Sequence, residues 1–540
     1  MFDDGSDCVG AAASSLLQLT TDLHVQRGGV TARLRESSVL GIFTGTQRLH
    51  GLSIVLVTCL GATCVGVTLF YTLVVLRRSR LKQPSNPSLS KETQTQTELS
   101  WAMLAARTVT AASSMVEGYE MCSMSGVISK VTHDLHLSSW QSAWAMGISP
   151  FMMALGAPLG GWLADRVGRL PALLASYLAM ISGPILMGCS QSFGELIMGR
   201  SIQAIGMGAG MGVSVIYMTE VAPAAIRGQL PSLEDLFLVS GMAFAYLGNS
   251  TLQGVPEGWR WMLGLGGVFP VLALPLLGLP PESPRYLLLR GRREEAEEAL
   301  LSLVSPEEAA AAMAQWSAEP GESGPATWAD ALWPEDPVLR RSFFVGVGVF
   351  SLQFLSGIRV VMSYADTVMA KDVGESLAHT SMLLLTIGRT LAVLPAIMTL
   401  DTLGRRSMLI AGQVGTSLAL VLVAVFYWTG AAVLPCGYFA LVLFAVSYSQ
   451  GIGPVVWVYT GEVMHSAVRA KGMAVALFAS RVGAGCMVLA YPALRGHLGT
   501  GWTFLILALS NVCGLVFVCL CAPETAGVSI ERMRKVFEHD

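Results

Sequence analysis

The sequence predicts an all-α membrane protein with two halves of six helices each, preceded by one extra membrane-spanning helix. Three observations support this fold class: an apolar composition, a series of long apolar segments and an internal repeat. Of the 540 residues, 53% are hydrophobic and 13% are charged, whereas roughly 25% are charged in soluble domains. The mean hydropathy is +0.57. These values exclude a soluble enzyme and a disordered scaffold.

The net charge and the rare metal-ligating residues exclude further classes. A net charge of −3 provides no basic field for phosphates, so no nucleic-acid partner is expected. The ten cysteines are nearly all isolated and the eight histidines are scattered, so we expect neither a metal site nor a cofactor. The expected environment of the chain is a lipid bilayer.

The apolar segments define the expected organisation of the chain. A bilayer core about 30 Å thick requires roughly 20 apolar residues in a helix, and thirteen segments meet this requirement. We expect a first half at 105–280, a helical loop at 281–340, a second half at 341–522 and a tail at 523–540. The thirteen segments are 51–76, 107–129, 139–163, 170–191, 195–219, 231–252, 261–280, 341–366, 379–400, 407–429, 435–459, 472–494 and 501–522.

The first apolar segment precedes the two halves. It runs from Gly51 to Leu76 and is followed by basic residues up to Lys82, which favours a cytoplasmic location for that end. We interpret 51–82 as an anchor helix with a basic flank, with an extramembrane segment at 1–50 and a cytoplasmic linker at 83–104. A cleaved signal peptide and a mispredicted first exon are the alternatives.

Basic residues also predict the orientation of the twelve-helix core. Arginines and lysines are concentrated in alternate loops and in the loop at 281–340. The positive-inside rule then places these loops, and both ends of the core, in the cytoplasm. The pattern does not distinguish the plasma membrane from an organelle membrane.

Three charged signatures occur twice, roughly 240 residues apart. The clearest is Asp165 to Arg169, which recurs as Asp401 to Arg406. The others are a glutamate followed by an arginine seven residues later, and a Pro-Glu pair at the end of each half. Two similar halves are typical of secondary transporters. The residues of interest are Asp165, Arg166, Arg169, Glu220, Arg227, Glu282, Arg285, Arg405, Arg406, Glu462, Arg469 and Glu524.

We interpret these residues as a cytoplasmic gating network. Each exposed pair contributes only about 0–1 kcal/mol, but several pairs that form when helix ends meet can bias a two-state equilibrium. The alternative interpretation is that the charges only mark the topology.

Several stretches carry a family resemblance. They are Gly161–Arg169, Pro281–Arg285, Gly453–Trp457, Val458–Gly472 and Pro523–Gly527. Together they closely resemble the sugar porter family of the major facilitator superfamily, over roughly residues 105 to 530. The resemblance implies the major facilitator fold and a small-molecule sugar or polyol as the transported partner.

Three further stretches are most similar to the proton-coupled polyol and monosaccharide carriers of that family. They are Gly118–Glu120, Met124–Gly126 and Ala245–Asn249. Ionisable residues inside a span are costly and therefore candidates for function. By resemblance, Glu120 is the proton-carrying group and Arg200 its switching partner. The family usually has an aspartate at this position, and a static buried ion pair is the alternative.

The resemblance also implies a substrate site between the halves. Gln353 matches the first glutamine of a family motif and Trp457 matches an aromatic residue of the tenth helix. Asp235 stands where hexose carriers have a glutamine and polyol carriers tend to have a carboxylate. Arg359 and Arg389 both replace asparagines of the family, the latter at a position where polyol carriers often have a lysine. At least one of the two arginines has no obvious oppositely charged partner within the membrane spans. Arg359 would extend to a membrane edge, bind an anion or meet a negatively charged substrate. Packing between helices is the alternative role for Trp457 and for Phe354, which stands at the motif's second glutamine and is equally well explained as a packing residue.

The expected function is proton-coupled symport of a polyol or monosaccharide by alternating access, with protons as the second partner. The alternatives are a facilitative uniporter or sugar-acid carrier of the same fold, and a sugar sensor that does not transport. No catalytic triad or phosphate-binding loop stands out in the sequence, so an enzyme is not expected.

Overall fold

The computed structural model describes residues 101–221, 233–304, 306–318, 333–373, 375–429, 437–464, 469–526 and 537. The extra helix expected at 51–76 lies outside these residues, as do the segments 1–50 and 77–100. The described residues confirm the predicted all-α class with two sets of six membrane crossings.

Six helices form the first half. Helix α2 begins where Ser138 caps it, since the Ser138 hydroxyl accepts from the Gln141 amide N–H at 3.3 Å and the Gln141 side chain accepts from the Ser138 N–H at 2.8 Å. This reciprocal pair satisfies two N–H groups that the helix itself leaves free. The helices are α1 (Trp101–Asp134), α2 (Ser139–Val167), α3 (Arg169–Cys189), α4 (Phe193–Val221), α5 (Leu233–Leu252) and α6 (Gly258–Gly278), the last interrupted by 3₁₀ turns.

Among the described residues of the loop at 281–340, three short helices follow the first half, as expected. They are α7 (Pro284–Leu289), α8 (Arg293–Leu301) and α9 (Pro306–Ala318). Ser283 caps α7 by accepting from the Tyr286 N–H at 3.2 Å. Ala296 of α8 is fully buried against Tyr286, so the apolar faces of these helices pack on one another.

The second half contains eight helices because two of its crossings are interrupted. Asp336 caps the first of them by accepting from the Val338 N–H at 2.9 Å, and Pro337 occupies the position where a missing N–H costs nothing. The helices are α10 (Pro337–Leu355), α11 (Ile358–Val373), α12 (Glu375–Leu403), α13 (Arg405–Thr429), α14 (Tyr438–Gln450), α15 (Ile452–Val463), α16 (Arg469–Leu498) and α17 (Thr500–Cys521).

Ten stretches of the described residues are long and apolar enough to cross a membrane. The other two crossings expected from the sequence, α1 and α5, contain 34 and 20 residues. Both carry buried carboxylates, among them Glu117, Glu120 and Asp235. The two helices that carry these acids are therefore part of the interior of the bundle.

Glycines allow helices of the first half to approach closely. A Cβ atom at Gly156 of α2 would lie 2.2 Å from the carbonyl oxygen of Ile205, and one at Gly208 of α4 would lie 2.1 Å from that of Met153. Small residues of this kind bring membrane helices into backbone contact.

The two halves meet along α2 with α16, along α5 with α12 and along α1 with α11. The Phe151 ring lies against Gly485, where a Cβ would be 2.7 Å from the ring. The Tyr246 hydroxyl donates to the carbonyl of Met362 at 3.3 Å. Side chains at the centre of the bundle can therefore interact across the boundary between halves.

Adjacent glycines in α2 offer a matched test of the helix packing. We expect Gly160→Ala to destabilise the protein, because its Cβ would lie 2.5 Å from the Cα of Ala209. Such overpacking costs about 1–3 kcal/mol. Gly161→Ala should not destabilise it, since nothing lies within 4 Å of that Cβ. Both changes raise helix propensity equally, so thermal melting of the detergent-purified variants isolates the packing effect. Equal melting temperatures would contradict it.

Candidate functional site

The predicted pair of Glu120 and Arg200 is formed at the centre of the first half. The Arg200 guanidinium donates to Glu120 Oε1, and the Ser149 hydroxyl donates to the same oxygen at 2.6 Å. Glu120 is 3% exposed and Arg200 is 2% exposed. Three helices, α1, α2 and α4, thus converge on one carboxylate.

A small cavity adjoins this pair at the boundary between the halves. It is lined by Glu120, Ser149 and Arg200 from the first half and by Arg359 and Ser363 from the second half. Two nitrogens of Arg200, Nε and Nη1, are buried and have no hydrogen-bond partner among the described residues. The cavity therefore offers donors from both halves to a polar ligand.

Arg359 does not lack a partner in the membrane, contrary to the possibility left open by the sequence. Its guanidinium donates to Glu117 of α1, and Arg481 of α16 donates to the same carboxylate, with Nη2 at 3.1 Å from Oε2. Glu117 is 1% exposed. One carboxylate of the first half therefore binds two arginines of the second half.

A second ion pair crosses the boundary nearby. Arg389 Nη2 lies 3.4 Å from Asp235 Oδ1, and Arg389 Nε donates to the Ser449 hydroxyl at 3.1 Å. The guanidinium carbon is 4.9 Å from the centre of the Tyr448 ring, which is a cation–π geometry. Two residues predicted for the substrate site are thus brought together. We call Glu117, Glu120, Arg200, Asp235, Arg359, Arg389 and Arg481 the central charged cluster.

Interrupted helices bring polar residues to this cluster. Gly357, with φ +74°, separates α10 from α11, and Arg359 follows in the first turn of α11. Gly451 separates α14 from α15. A Cβ at Gly453 would lie 2.5 Å from Asp235 Oδ2, so the glycine permits α15 to approach that carboxylate. Interrupted helices at the centre of a bundle are typical of transporter binding sites.

The remaining predicted substrate residues lie on the same helices of the second half. Gln353 is half-buried on α10. Trp457 is buried on α15, one turn beyond Gly453, with its ring 4.9 Å from that of Phe350 in an edge-to-face arrangement. Phe354 packs against the backbone of Gly483, where a Cβ would lie 2.8 Å from its ring. This contact supports the packing interpretation of Phe354.

The repeated signatures form a network at one end of the first half. Arg169 Nε donates to Glu220 Oε2 at 2.9 Å, and its Nη1 lies 3.4 Å from Asp165 Oδ1. Glu282 accepts from the N–H groups of Arg169 and Leu170 at 3.0 and 3.2 Å. These bonds place a carboxylate at the N-terminus of α3, where the helix dipole favours negative charge.

The second half repeats this network. Arg405 Nη2 donates to Glu462 Oε1 at 3.0 Å, and Glu524 accepts from the N–H groups of Arg405 and Arg406 at 2.8 and 3.1 Å. The turn glycines are equivalent as well: Gly168 has φ +109° and Gly404 has φ +84°. A Cβ at either glycine would lie within 2.7 Å of the nearby glutamate oxygen.

The described contacts join neighbouring helix ends within one half. Arg169 contacts Glu220 and Glu282 of the first half, and Arg405 contacts Glu462 and Glu524 of the second half. Arg166 stacks on Trp162 at 4.2 Å and Arg285 lies in α7. Arg227 lies outside the described residues, and only the backbone of Arg469 is described. The networks therefore fasten the helices within a half.

Sequence reasoning did not select Glu117, Arg481 or Glu234, which accepts from the Ser114 hydroxyl. All three lie inside spans, so the rule that an ionisable residue in a span is a functional candidate could have found them. The family motifs directed attention to Glu120 and Arg359 instead. What the sequence could not supply is that α1, α11 and α16 meet at one point.

Neutralising the capping glutamates tests the end networks. We expect Glu282→Gln and Glu524→Gln each to reduce the free energy of unfolding by about 1–3 kcal/mol, since charge-assisted bonds to two N–H groups are replaced by neutral ones. Thermal melting of the detergent-purified protein would measure the loss. Glu294→Gln, on the exposed face of α8, is the control. Melting temperatures equal to that of the control would show that the caps do not stabilise the fold.

Comparison with known proteins relates this geometry to a family. The profile of the sugar (and other) transporter family matches residues 85–537. The glucose transporter GlcP of Staphylococcus epidermidis is 31% identical over 432 residues, covering 78% of this chain and 94% of that protein. Polyol transporter 5 of Arabidopsis thaliana is 28% identical over 456 residues, covering 78% and 84%.

Solved structures show the same fold. The major facilitator superfamily proton:xylose symporter XylE bound to 6-bromo-6-deoxy-D-glucose has a TM-score of 0.71 at 23% identity, covering 81% of this chain and 99% of that chain. The inward-open xylose transporter XylE from E. coli has a TM-score of 0.67 at 21% identity, covering 80% and 99%. The predicted major facilitator fold is thus confirmed. The chain is a multi-pass membrane protein that belongs to the sugar (and other) transporter family, and it is not an enzyme.

Proposed function

We propose that this transporter is a proton-coupled symporter of a polyol or monosaccharide that works by alternating access. The observation that carries the proposal is the buried carboxylate of Glu120, which is held by Arg200 and Ser149 beside a cavity between the halves. A carboxylate with one arginine partner has two stable states in an apolar interior: ionised and paired, or protonated and neutral.

The coupling step follows from charge balance. When Glu120 is protonated, Arg200 loses the charge that neutralises it, and its donors become available to a ligand in the cavity. Release of the proton restores the pair. The proton therefore changes the contacts of a residue that borders the boundary between the halves, which is the requirement for biasing their equilibrium.

The substrate would bind between the halves, near the central charged cluster. Hydroxyl groups require paired donors and acceptors, which Asp235, Arg389 and Gln353 supply, and a sugar ring requires an apolar face, which Trp457 supplies. The relatives support this class of substrate, because one is named a glucose transporter and several are named polyol transporters.

In this mechanism, the networks around Arg169 and Arg405 would hold the helix ends of each half together. Because the described pairs join helices of the same half, each half can move as one body while its helix ends stay together. Charge pairs between the network of the first half and that of the second half would add a gate between these two rigid bodies. By the positive-inside rule this end is cytoplasmic.

Two other functions make different use of the same fold. A facilitative uniporter would hold Glu120 and Arg200 as a static pair, and a sensor would bind sugar without moving it. A sugar-acid carrier is a second candidate substrate specificity, favoured by the two arginines that share Glu117.

Neutralising Glu120 tests proton coupling. In transport-deficient cells we expect uptake of radiolabelled polyols or hexoses to rise on acidification, and we expect Glu120→Gln to abolish this rise and lower concentrative uptake at least about tenfold. Glu120→Asp should retain part of the acid stimulation, because it keeps the carboxyl group.

The control is Glu294→Gln, which should behave as the wild type because this residue is exposed on α8. Uptake that ignores both pH and Glu120→Gln would indicate a uniporter. Absence of uptake of the tested sugars by a correctly folded protein at the cell surface would indicate a sensor.

A further inference from the structure

The central charged cluster is divided unevenly between the two halves. Three buried arginines, Arg359, Arg389 and Arg481, belong to the second half and point at carboxylates of the first half. Glu117 and Asp235 are those carboxylates. In these three charge pairs across the boundary, Arg359–Glu117, Arg481–Glu117 and Arg389–Asp235, the cation lies on the second half.

At Glu117, two arginines share one carboxylate, and a further, half-buried carboxylate, Glu234 of α5, accepts from Ser114 nearby. Arg481 Nε is buried without a hydrogen-bond partner among the described residues. The additional contacts of these arginines are weak acceptors: the sulfur of Met153 lies 3.9 Å from Arg359 and that of Met211 lies 3.8 Å from Arg481. A buried cation without a full counter-charge is costly.

A substrate that enters between the halves has to separate these pairs. A neutral sugar would then leave two guanidinium groups facing hydroxyl oxygens, which are weaker acceptors than a carboxylate. A substrate carboxylate would instead provide both arginines with the planar, bidentate partner that guanidinium prefers. The arrangement favours a ligand with its own negative charge.

The adjoining cavity indicates the rest of the ligand. Beside Arg359 it presents the hydroxyls of Ser149 and Ser363 and the two unpartnered nitrogens of Arg200, while methionines form its apolar wall. These groups suit hydroxyls and the C–H face of a carbon chain. A carboxylate at Arg359 would therefore belong to a molecule that also carries hydroxyl groups.

We propose that the substrate is a hydroxylated carboxylic acid of the sugar-acid type, and that its carboxylate replaces Glu117 between Arg359 and Arg481. This inference rests on the transport function proposed above and selects its second candidate specificity, a sugar acid, over the neutral polyols and monosaccharides.

The test compares matched pairs of ligands on the wild-type protein: glucuronate with glucose, and gluconate with sorbitol. Binding is followed by the quenching of tryptophan fluorescence in detergent, and uptake is followed in transport-deficient cells. We expect each acid to bind at least about tenfold more tightly than its neutral counterpart. Acetate, which lacks the hydroxyls, should not compete at the same concentration.

Two variants assign the preference to the arginines. Arg481→Gln and Arg359→Asn should each reduce the acid-to-neutral ratio at least about tenfold, whereas Glu117→Gln should raise it, because the ligand no longer competes with a fixed carboxylate. Glu294→Gln should leave the ratio unchanged. These comparisons use a ratio within each folded variant, so a general loss of expression does not mimic the result.

Several outcomes overturn the inference. If neutral ligands bind the wild type as well as or better than the acids do, the sugar-acid substrate is wrong while the proposed sugar transport stands. An acid preference that persists in both arginine variants would remove the assigned site, and competition by acetate as strong as by gluconate would show a site for any carboxylate. If a folded protein neither binds nor transports any of these ligands, the proposed transport function fails as well.

Discussion

Ionised groups inside an apolar bundle have to be neutralised close by, because the cost of burying a charge without a partner is several kcal/mol. This constraint explains which helices meet at the centre of the protein. Glu120 and Arg200 neutralise each other within the first half, so that pair can persist as the halves move. Glu117 and Asp235 are neutralised by arginines of the second half, so those pairs depend on how the halves are arranged. In the proposed mechanism, Glu120 therefore carries the proton, whereas the ion pairs of Glu117 and Asp235 form or break as the halves move.

The two halves of the chain repeat one solution to a different problem. The N-termini of α3 and α13 have free N–H groups, which Glu282 and Glu524 satisfy from the far end of the same half. The carboxylate can reach them because the preceding glycines adopt positive φ and carry no Cβ. The same geometry in both halves indicates that the duplicated signatures maintain the internal shape of each half. Any gate between the halves depends on that shape.

The centre of the second half depends on interruptions in its helices. The breaks at Gly357 and Gly451 bring Arg359 and α15 toward the first half. Such irregular backbone is tolerated at membrane depth where other helices or a cavity surround it. The second half presents Arg359, Arg389 and Arg481 to carboxylates of the first half.

The sequence by itself determined the fold class, because apolar length and duplicated charge signatures are local properties that survive without knowledge of packing. Through resemblance to family positions it also selected Glu120 with Arg200 as a pair, and it selected Asp235 and Arg389 as substrate-site residues without pairing them. It could not pair Arg359, since its partner Glu117 is 242 residues away in the chain and only the packing of α1 against α11 and α16 brings them together. Tertiary structure likewise decided that the end networks lie within each half, because the direction in which a charged helix end points depends on the helices packed around it.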